Sequence, residues 1–390
     1  MAQRARAVLT SKPEAPLLWR TAIAAYLAMA LGAYLSWIAG FQPPKGLQLA
    51  WSVSALPQKR DIEYELLVVG KVIPAALVAL FVVLLGVSVP RRRTRGGLIV
   101  AIAVGLLSLA AMYLAWIAVM SPWILGPVMA LVMGLGALAT GMGKAIGGIA
   151  SLFGAVFFLY SVCGLDHGLT GTDVLVQASI GAGAGVAVII LIWLVRVTTG
   201  FRLVTPPKLP PKDPAAPKTA RPSAKAVLAD HRLVRYALLR AVLVGVGAGI
   251  YAANKQHNLF WVLLTVWVVL QPAPDATRAR GLQRIVGVMA GCLIVAFIAQ
   301  FATPDIVVII GLTALFVGVL WYQRNWAVYV AGVSMLTVAL HGEVVHYSFE
   351  AFAGWRALDT AIGIAVGFAA YFLVVTLPDR RAKAKQAAAQ

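Results

Sequence analysis

Apolar positions along this chain neither alternate nor trace one helical stripe. They come in long unbroken runs, separated by short polar or proline-marked breaks. A run of about 18 or more apolar residues is long enough to cross a bilayer as a helix. Twelve spans can be drawn, at about 17–40, 68–89, 98–119, 123–141, 145–162, 174–197, 234–253, 258–272, 282–301, 305–321, 325–341 and 355–377. The eighth and eleventh are short. The run from Leu17 to Gly40 follows a basic start but is too long for a signal-peptide core, so it reads as a retained first span. Segment 41–66 contains Pro43, Pro44 and Pro57 and the charges Lys59, Arg60, Asp61, Glu63 and Glu65. It is expected to be an external loop with a short interfacial helix near 47–56.

The stretch 199–232 holds Pro206, Pro207, Pro210, Pro211, Pro214, Pro217 and Pro222 among lysines, the composition of an extended linker. It divides the chain into segments 1–198 and 233–390, each with six spans. The segments resemble one another. Thr94-Arg95-Gly96-Gly97-Leu98 opens the third span and Thr277-Arg278-Ala279-Arg280-Gly281-Leu282 opens the ninth. Ile180-Gly181 with Gly185 in the sixth span is matched by Ile362-Gly363 with Gly367 in the twelfth. The two offsets are 183 and 182 residues. An even number of spans per half starts both halves on the same side, which makes the repeats parallel. The predicted fold is therefore all-α and polytopic, with about twelve transmembrane helices in two parallel six-helix repeats.

Composition supports a membrane setting. Apolar residues make up 61% of the 390 residues and charged ones 12%, with a mean hydropathy of +0.86. Soluble domains carry roughly a quarter charged residues. The net charge of +19 does not indicate nucleic acid, because the basic residues stand in short clusters between apolar spans. With the N-terminus inside, only Lys45, Lys59, Arg60, Lys71, Lys255 and Arg356 of the 33 Lys and Arg fall outside. That bias places both termini in the cytoplasm. Cys163 and Cys292 have neither metal-ligand nor disulfide spacing.

Several motifs need no chemistry beyond packing. The pairs Gly143/Gly147, Gly181/Gly185, Gly245/Gly249, Gly287/Gly291 and Gly363/Gly367 put small residues on one helix face, where helices in lipid approach closely. Gly245-x-Gly247-x-Gly249 has no preceding strand and lacks dinucleotide spacing, and Gly141-Met-Gly143-Lys144 is an incomplete phosphate loop. His341, Glu343 and His346 read as a solvated helix end, not a metal site. No nucleophile–base pair or catalytic carboxylate pair occurs in one segment, so no enzyme and no cofactor is expected.

Charges at span ends and interiors carry more information. The run Phe260–Leu270 ends at Gln271-Pro272, and Arg278, Arg280 and Arg284 open the next helix. Arg280 and Arg284 share a face. They read either as topology anchors or as a basic vestibule that concentrates anions. Arg240 and Arg20 lie about a turn inside their spans and can snorkel to the interface. Arg356 and Asp359, three apart in the last span, read either as a structural ion pair or as a site whose carboxylate couples protons.

The run Trp261…Leu270-Gln271-Pro272, with Ala276-Thr277-Arg278 and Leu282-Gln283-Arg284-Ile285-Val286-Gly287, resembles the fusaric acid resistance and aromatic acid exporter family. Arg356-x-x-Asp359-Thr360-x-Ile362-Gly363, running into Pro378-Asp379-Arg380-Arg381, resembles its closing helix. The likeness covers about 234–381, and the first half carries it only weakly. It implies export of organic or aromatic acids across a bacterial inner membrane, and a proton-coupling Asp359 would make that export proton-driven. Anions would pass between the repeats and meet Arg240, Trp261, Gln271, Arg278, Arg280 and Arg284. A small organic anion and membrane lipid are the expected partners, with a homo-oligomer and a periplasmic adaptor protein also compatible. A passive anion channel of related fold and a non-transporting membrane scaffold remain as alternatives.

Overall fold

A computed structural model describes residues 15–40, 75–76, 78–79, 82–83, 94–166, 171–199, 222–254, 257–321, 325–344 and 348–379. The expected segment 41–66 lies wholly outside them, as do most of the expected second span and residues 200–221 of the linker. No strand occurs among the described residues. Among the described residues, the helices of the first half with both ends described are α1 (Ala15–Gly40), α2 (Thr94–Val119), α3 (Pro122–Ala139), α4 (Lys144–Asp166) and α5 (Gly171–Thr199). A short α6 (Ala224–Ala229) leads into α7 (His231–Asn254), α8 (His257–Val269), α9 (Pro274–Ala299), α10 (Pro304–Trp321), α11 (Trp326–Val344) and α12 (Phe349–Tyr371).

Five helical stretches are long and apolar enough to cross a membrane: Ile102–Val119, Pro122–Met142, His231–Asn254, Pro274–Ala299 and Phe349–Asp379. Six shorter apolar helices lie beside them. Helices suit this setting because they satisfy their backbone groups internally where no water is available. The outward faces are apolar: on α9, Leu282 is 66% exposed and Leu293 65% exposed. A chain with such a surface is solvated by lipid.

Local signals set the helix boundaries. Ser121 caps α3, its hydroxyl accepting from the Trp123 amide, with Pro122 at the first helical position. Asp230 caps α7 by accepting from the Arg232 and Leu233 amides at 3.0 and 3.1 Å. Ser348 caps α12 through the Ala351 amide. At the far end, α12 passes through a π-helical turn, Phe372–Thr376, that carries it on to Asp379.

The eighth helix, α8, is 13 residues long. It stops at Leu270-Gln271-Pro272-Ala273, where three hydroxyls hold the turn. Tyr236 of α7 donates to the Leu270 carbonyl, and Tyr371 of α12 to the Pro272 carbonyl, both at 3.0 Å. The Thr277 hydroxyl donates to the Gln271 carbonyl and accepts from the Gln271 amide. Backbone groups freed by the end of the helix are thereby satisfied, as their burial requires.

Packing within each part follows a common pattern. Helix α2 packs on α4 and α5, while α9 packs on α11 and α12. Helix α3 packs on α4, as α10 does on α11. The first and second halves meet most closely along α3 and α7. There Gly126, Ala130 and Gly134 face Ala237, Ala241, Gly245 and Gly249, so the two backbones nearly touch; a methyl group on Gly245 would collide with Ala130. A second meeting point joins α1 to α10, where the Tyr26 hydroxyl donates to the Leu312 carbonyl at 2.7 Å.

Candidate functional site

Buried charge is confined, among the described residues, to Arg240, Arg284, Arg356 and Asp359. All four stand in the second half, on α7, α9 and α12. Arg356 lies seven residues past the start of α12. It is 1% exposed, and Asp359, one turn on, is 3% exposed. The guanidinium of Arg356 stacks on the Trp261 ring of α8, with its carbon 3.6 Å from the ring centre. Arg284 of α9 and Asp359 lie within electrostatic reach of it, as does Cys292, two turns beyond Arg284 on the same buried face.

Helix contacts explain this convergence. Helix α12 packs against both α8 and α9. Gly363 of α12 has no side chain to hold off α8, so its backbone comes up against Val262 and Thr265. Gly287 and Gly291 bring α9 equally close to α11. Small residues at the crossings thus draw together the arginines placed between them.

Several donors at the centre find no acceptor among the described residues. Nε and Nη1 of Arg356, and Nε and Nη2 of Arg284, are buried and make no hydrogen bond to any described residue. A buried guanidinium without acceptors costs far more than a paired one. Such groups persist where they meet a ligand or water that the fold holds in place. Their planar forks match a carboxylate in two parallel hydrogen bonds.

The remaining residues singled out in the sequence divide by position. Arg280 stacks on Trp326 of α11 at 4.6 Å, and Arg284 lies beside Tyr329 on the same helix. The face shared by these two arginines is therefore the one turned to α11. Arg278 is exposed. Arg240 donates to the Tyr236 hydroxyl at 3.0 Å and lies 5.8 Å from the Trp267 ring centre. Gln271 turns its side-chain amide back onto the Val268 carbonyl, closing α8. His341, Glu343 and His346 lie outside the residues whose side chains are described, as does the side chain of Arg20.

Features that the sequence reading missed lie on either side of this center. Phe158 of α4, from the first half, inserts between Phe260 and Trp267 of α8 with ring centres 5.7 and 5.5 Å away and nearly parallel planes. Near the other end, Asp379 joins Arg232 at 3.3 Å and Arg235 at 3.2 Å, tying the end of the last helix to the start of α7. In the first half, Ser36 of α1 donates to the side chain of Gln177 of α5, and both are buried. Of these, only the aromatic spacing of Phe260 and Trp267, seven residues apart on one helix face, was open to a sequence reading.

Residues 241–370 match the family described as fusaric acid resistance protein-like. That segment contains Trp261, Gln271, Arg278, Arg280, Arg284, Arg356 and Asp359, with Arg240 immediately before it. The chain is 30% identical over 142 residues to an uncharacterized protein, ORF2, of Neisseria gonorrhoeae, a match covering 35% of this chain and 33% of that protein. It is 31% identical over 146 residues to the inner membrane protein YccS of Escherichia coli K12, covering 36% of this chain and 20% of YccS. The match thus spans about a third and a fifth of the lengths of these two relatives. No solved structure matches the chain. The likeness to the fusaric acid resistance family holds for residues 241–370 of the second half, which also contain three of the four buried charges among the described residues.

Proposed function

We propose that this chain is a bacterial inner-membrane exporter of organic and aromatic acids, driven by the proton gradient. The observation that carries this reading is the pair Arg284 and Arg356, buried in a lipid-solvated bundle with guanidinium donors that meet no acceptor among the described residues. Charge at that depth is costly and marks a ligand path in membrane proteins. Aromatic faces stand beside it at Trp261, Phe260 and Phe352. The relative YccS is an inner membrane protein by name. The chemistry assigned is transport and not catalysis.

In this reading, two parallel six-helix repeats, 1–198 and 233–390, are joined by the cytoplasmic linker 199–232, with both termini cytoplasmic. The matched packing of α2 on α4 and α5 and of α9 on α11 and α12 supports it. So does the parallel role of Gly181, which meets Ala75 as Gly363 meets α8. Arg278 and Arg280 form the basic entrance, and Arg284, Arg356 and Trp261 form the inner site. The path follows the helices of the second half, because the α3–α7 seam is filled by small apolar residues.

That closed seam favours a second reading, a membrane scaffold that moves nothing. Flux measurements separate the two. Purified protein in proteoliposomes should move a radiolabelled benzoate-type acid faster with an imposed pH gradient than without one. Equal flux with and without the gradient identifies a passive channel, and flux no greater than in empty liposomes identifies a scaffold.

A further inference from the structure

The transport reading leaves open what kind of acid the inner site takes. The charges present bear on this. Arg284 and Arg356 contribute two positive charges within electrostatic reach of each other, and Asp359 one negative charge beside them. Arg240 stands apart, its guanidinium hydrogen-bonded to Tyr236 and facing Trp267. Among the described residues, the buried charges of this site therefore sum to one net positive charge. In a low-dielectric interior, uncompensated charge is strongly penalised, and so is overcompensation. One carboxylate brings the site to neutrality. A second carboxylate on the same ligand leaves it negative, with the excess close to Asp359.

We infer that Asp359 is the residue that sets ligand valence, and that the site selects monocarboxylates over dicarboxylates. This rests on the transport reading of the same site. The first half shows what the position looks like without the acid. Gln177 stands four residues before Gly181, as Asp359 stands four before Gly363. Both are buried to the same degree, at 3% exposed. Gln177 is held by Ser36 in a neutral pair, and no buried arginine accompanies it among the described residues. The helix position accepts an uncharged amide, so Asp359 is not required to fill space.

This inference also separates Asp359 from proton carriage. A valence filter keeps gradient-driven transport when neutralised and changes only which acids pass; a proton carrier loses the drive. The test compares benzoate with phthalate in proteoliposomes under an inward proton gradient, using the full chain. Wild-type protein should prefer benzoate by about tenfold or more. Asp359→Asn should raise phthalate transport until that ratio falls at least tenfold, with benzoate still gradient-driven. Adding Arg284→Gln to Asp359→Asn restores the net charge and should return the preference to benzoate. If the Asn variant fails to fold, Asp359→Gln, the residue of the matching position, takes its place in the same assay. An unchanged ratio in the folded variant, or loss of gradient-driven transport of both acids, overturns the inference and leaves the transport reading intact. Wild-type protein that moves neither acid overturns both.

Discussion

Arg356 and Trp261 approach more closely than the other arginine–aromatic pairs of the site, at 3.6 Å against 4.6 Å for Arg280 with Trp326 and 5.8 Å for Arg240 with Trp267. One comes from α12 and the other from α8, so the contact fixes where the guanidinium points. Stacking uses the flat face of the fork and leaves its edge, with the N–H donors, free for a ligand. A desolvated contact of this kind contributes about 2 kcal/mol. Trp261→Leu should therefore raise the benzoate concentration for half-maximal transport by roughly tenfold or more, whereas Trp261→Phe should keep most of the affinity. Equal behaviour of the Leu and Phe variants would show that the ring face does not hold Arg356.

Neutralising Arg356 should separate stability from activity. Its buried charge meets no acceptor at Nε or Nη1 among the described residues. Removing such a charge relieves a desolvation cost that the fold otherwise bears. Arg356→Gln together with Asp359→Asn, which leaves neither of these two charges facing a missing partner, is expected to melt in detergent at the same temperature as wild type or higher. A hydrogen bond to a charged group contributes about 1.5–3 kcal/mol, so transport of carboxylates should fall by at least about tenfold. A variant that melts much lower while still transporting would assign Arg356 a structural role.

The turn after α8 offers a graded comparison. Tyr236→Phe removes the hydrogen bond to the Leu270 carbonyl and also deprives Arg240 of its acceptor. Tyr371→Phe removes only the bond to the Pro272 carbonyl. An unsatisfied buried polar group costs about 1–3 kcal/mol, and a charged one more. The Tyr236 variant should lose more thermal stability than the Tyr371 variant, read as unfolding in detergent. The reverse order would show that Arg240 draws little from Tyr236.

Close approach along α3 and α7 predicts a specific rescue. A methyl group on Gly245 meets the Ala130 side chain first and the Gly126 carbonyl next. Gly245→Ala should cost about 1–3 kcal/mol through overpacking. Ala130→Gly in the same protein should recover part of that loss, since it clears the side-chain collision and leaves the backbone one. Additive losses in the double variant would mean that the two residues do not face each other.

Phe158 fills a ring-shaped gap between Phe260 and Trp267. Phe158→Ala should destabilise the protein by about 3–5 kcal/mol, the cost of an unfilled aromatic site. Benzene added to the variant should restore part of the melting temperature, and cyclic but larger hydrocarbons should not. No recovery with benzene would indicate that neighbouring helices close over the gap.

Much of this was legible in the sequence, and the limits have physical causes. Apolar runs located the helices because lipid leaves few other structures for such a chain. The Gln-Pro break located the end of α8, and helical spacing put Arg280 and Arg284 on one face. Spacing could not say how deeply each would sit. Arg278, Arg280 and Arg284 read alike in the sequence, yet they end exposed, stacked on Trp326, and buried respectively. Depth depends on which helix covers that face, a tertiary fact. The same holds for Tyr236 and Tyr371, whose hydroxyl partners are backbone carbonyls that carry no sequence signature. The insertion of Phe158 joins segments about a hundred residues apart, which no local pattern reports.

Helix α8 has one further consequence. Its 13 residues rise about 20 Å, against a hydrocarbon layer of about 30 Å. With the first residue of α8 at one face of the layer, the turn that ends it lies inside the layer, at a depth set by the length of α8. Bilayers of longer acyl chains place this polar turn farther below the headgroups, and shorter chains bring it nearer to them. Each ångström of mismatch costs a fraction of a kcal/mol. The membrane's thickness is thus a variable of this fold, and lipid chain length tunes it without touching a side chain.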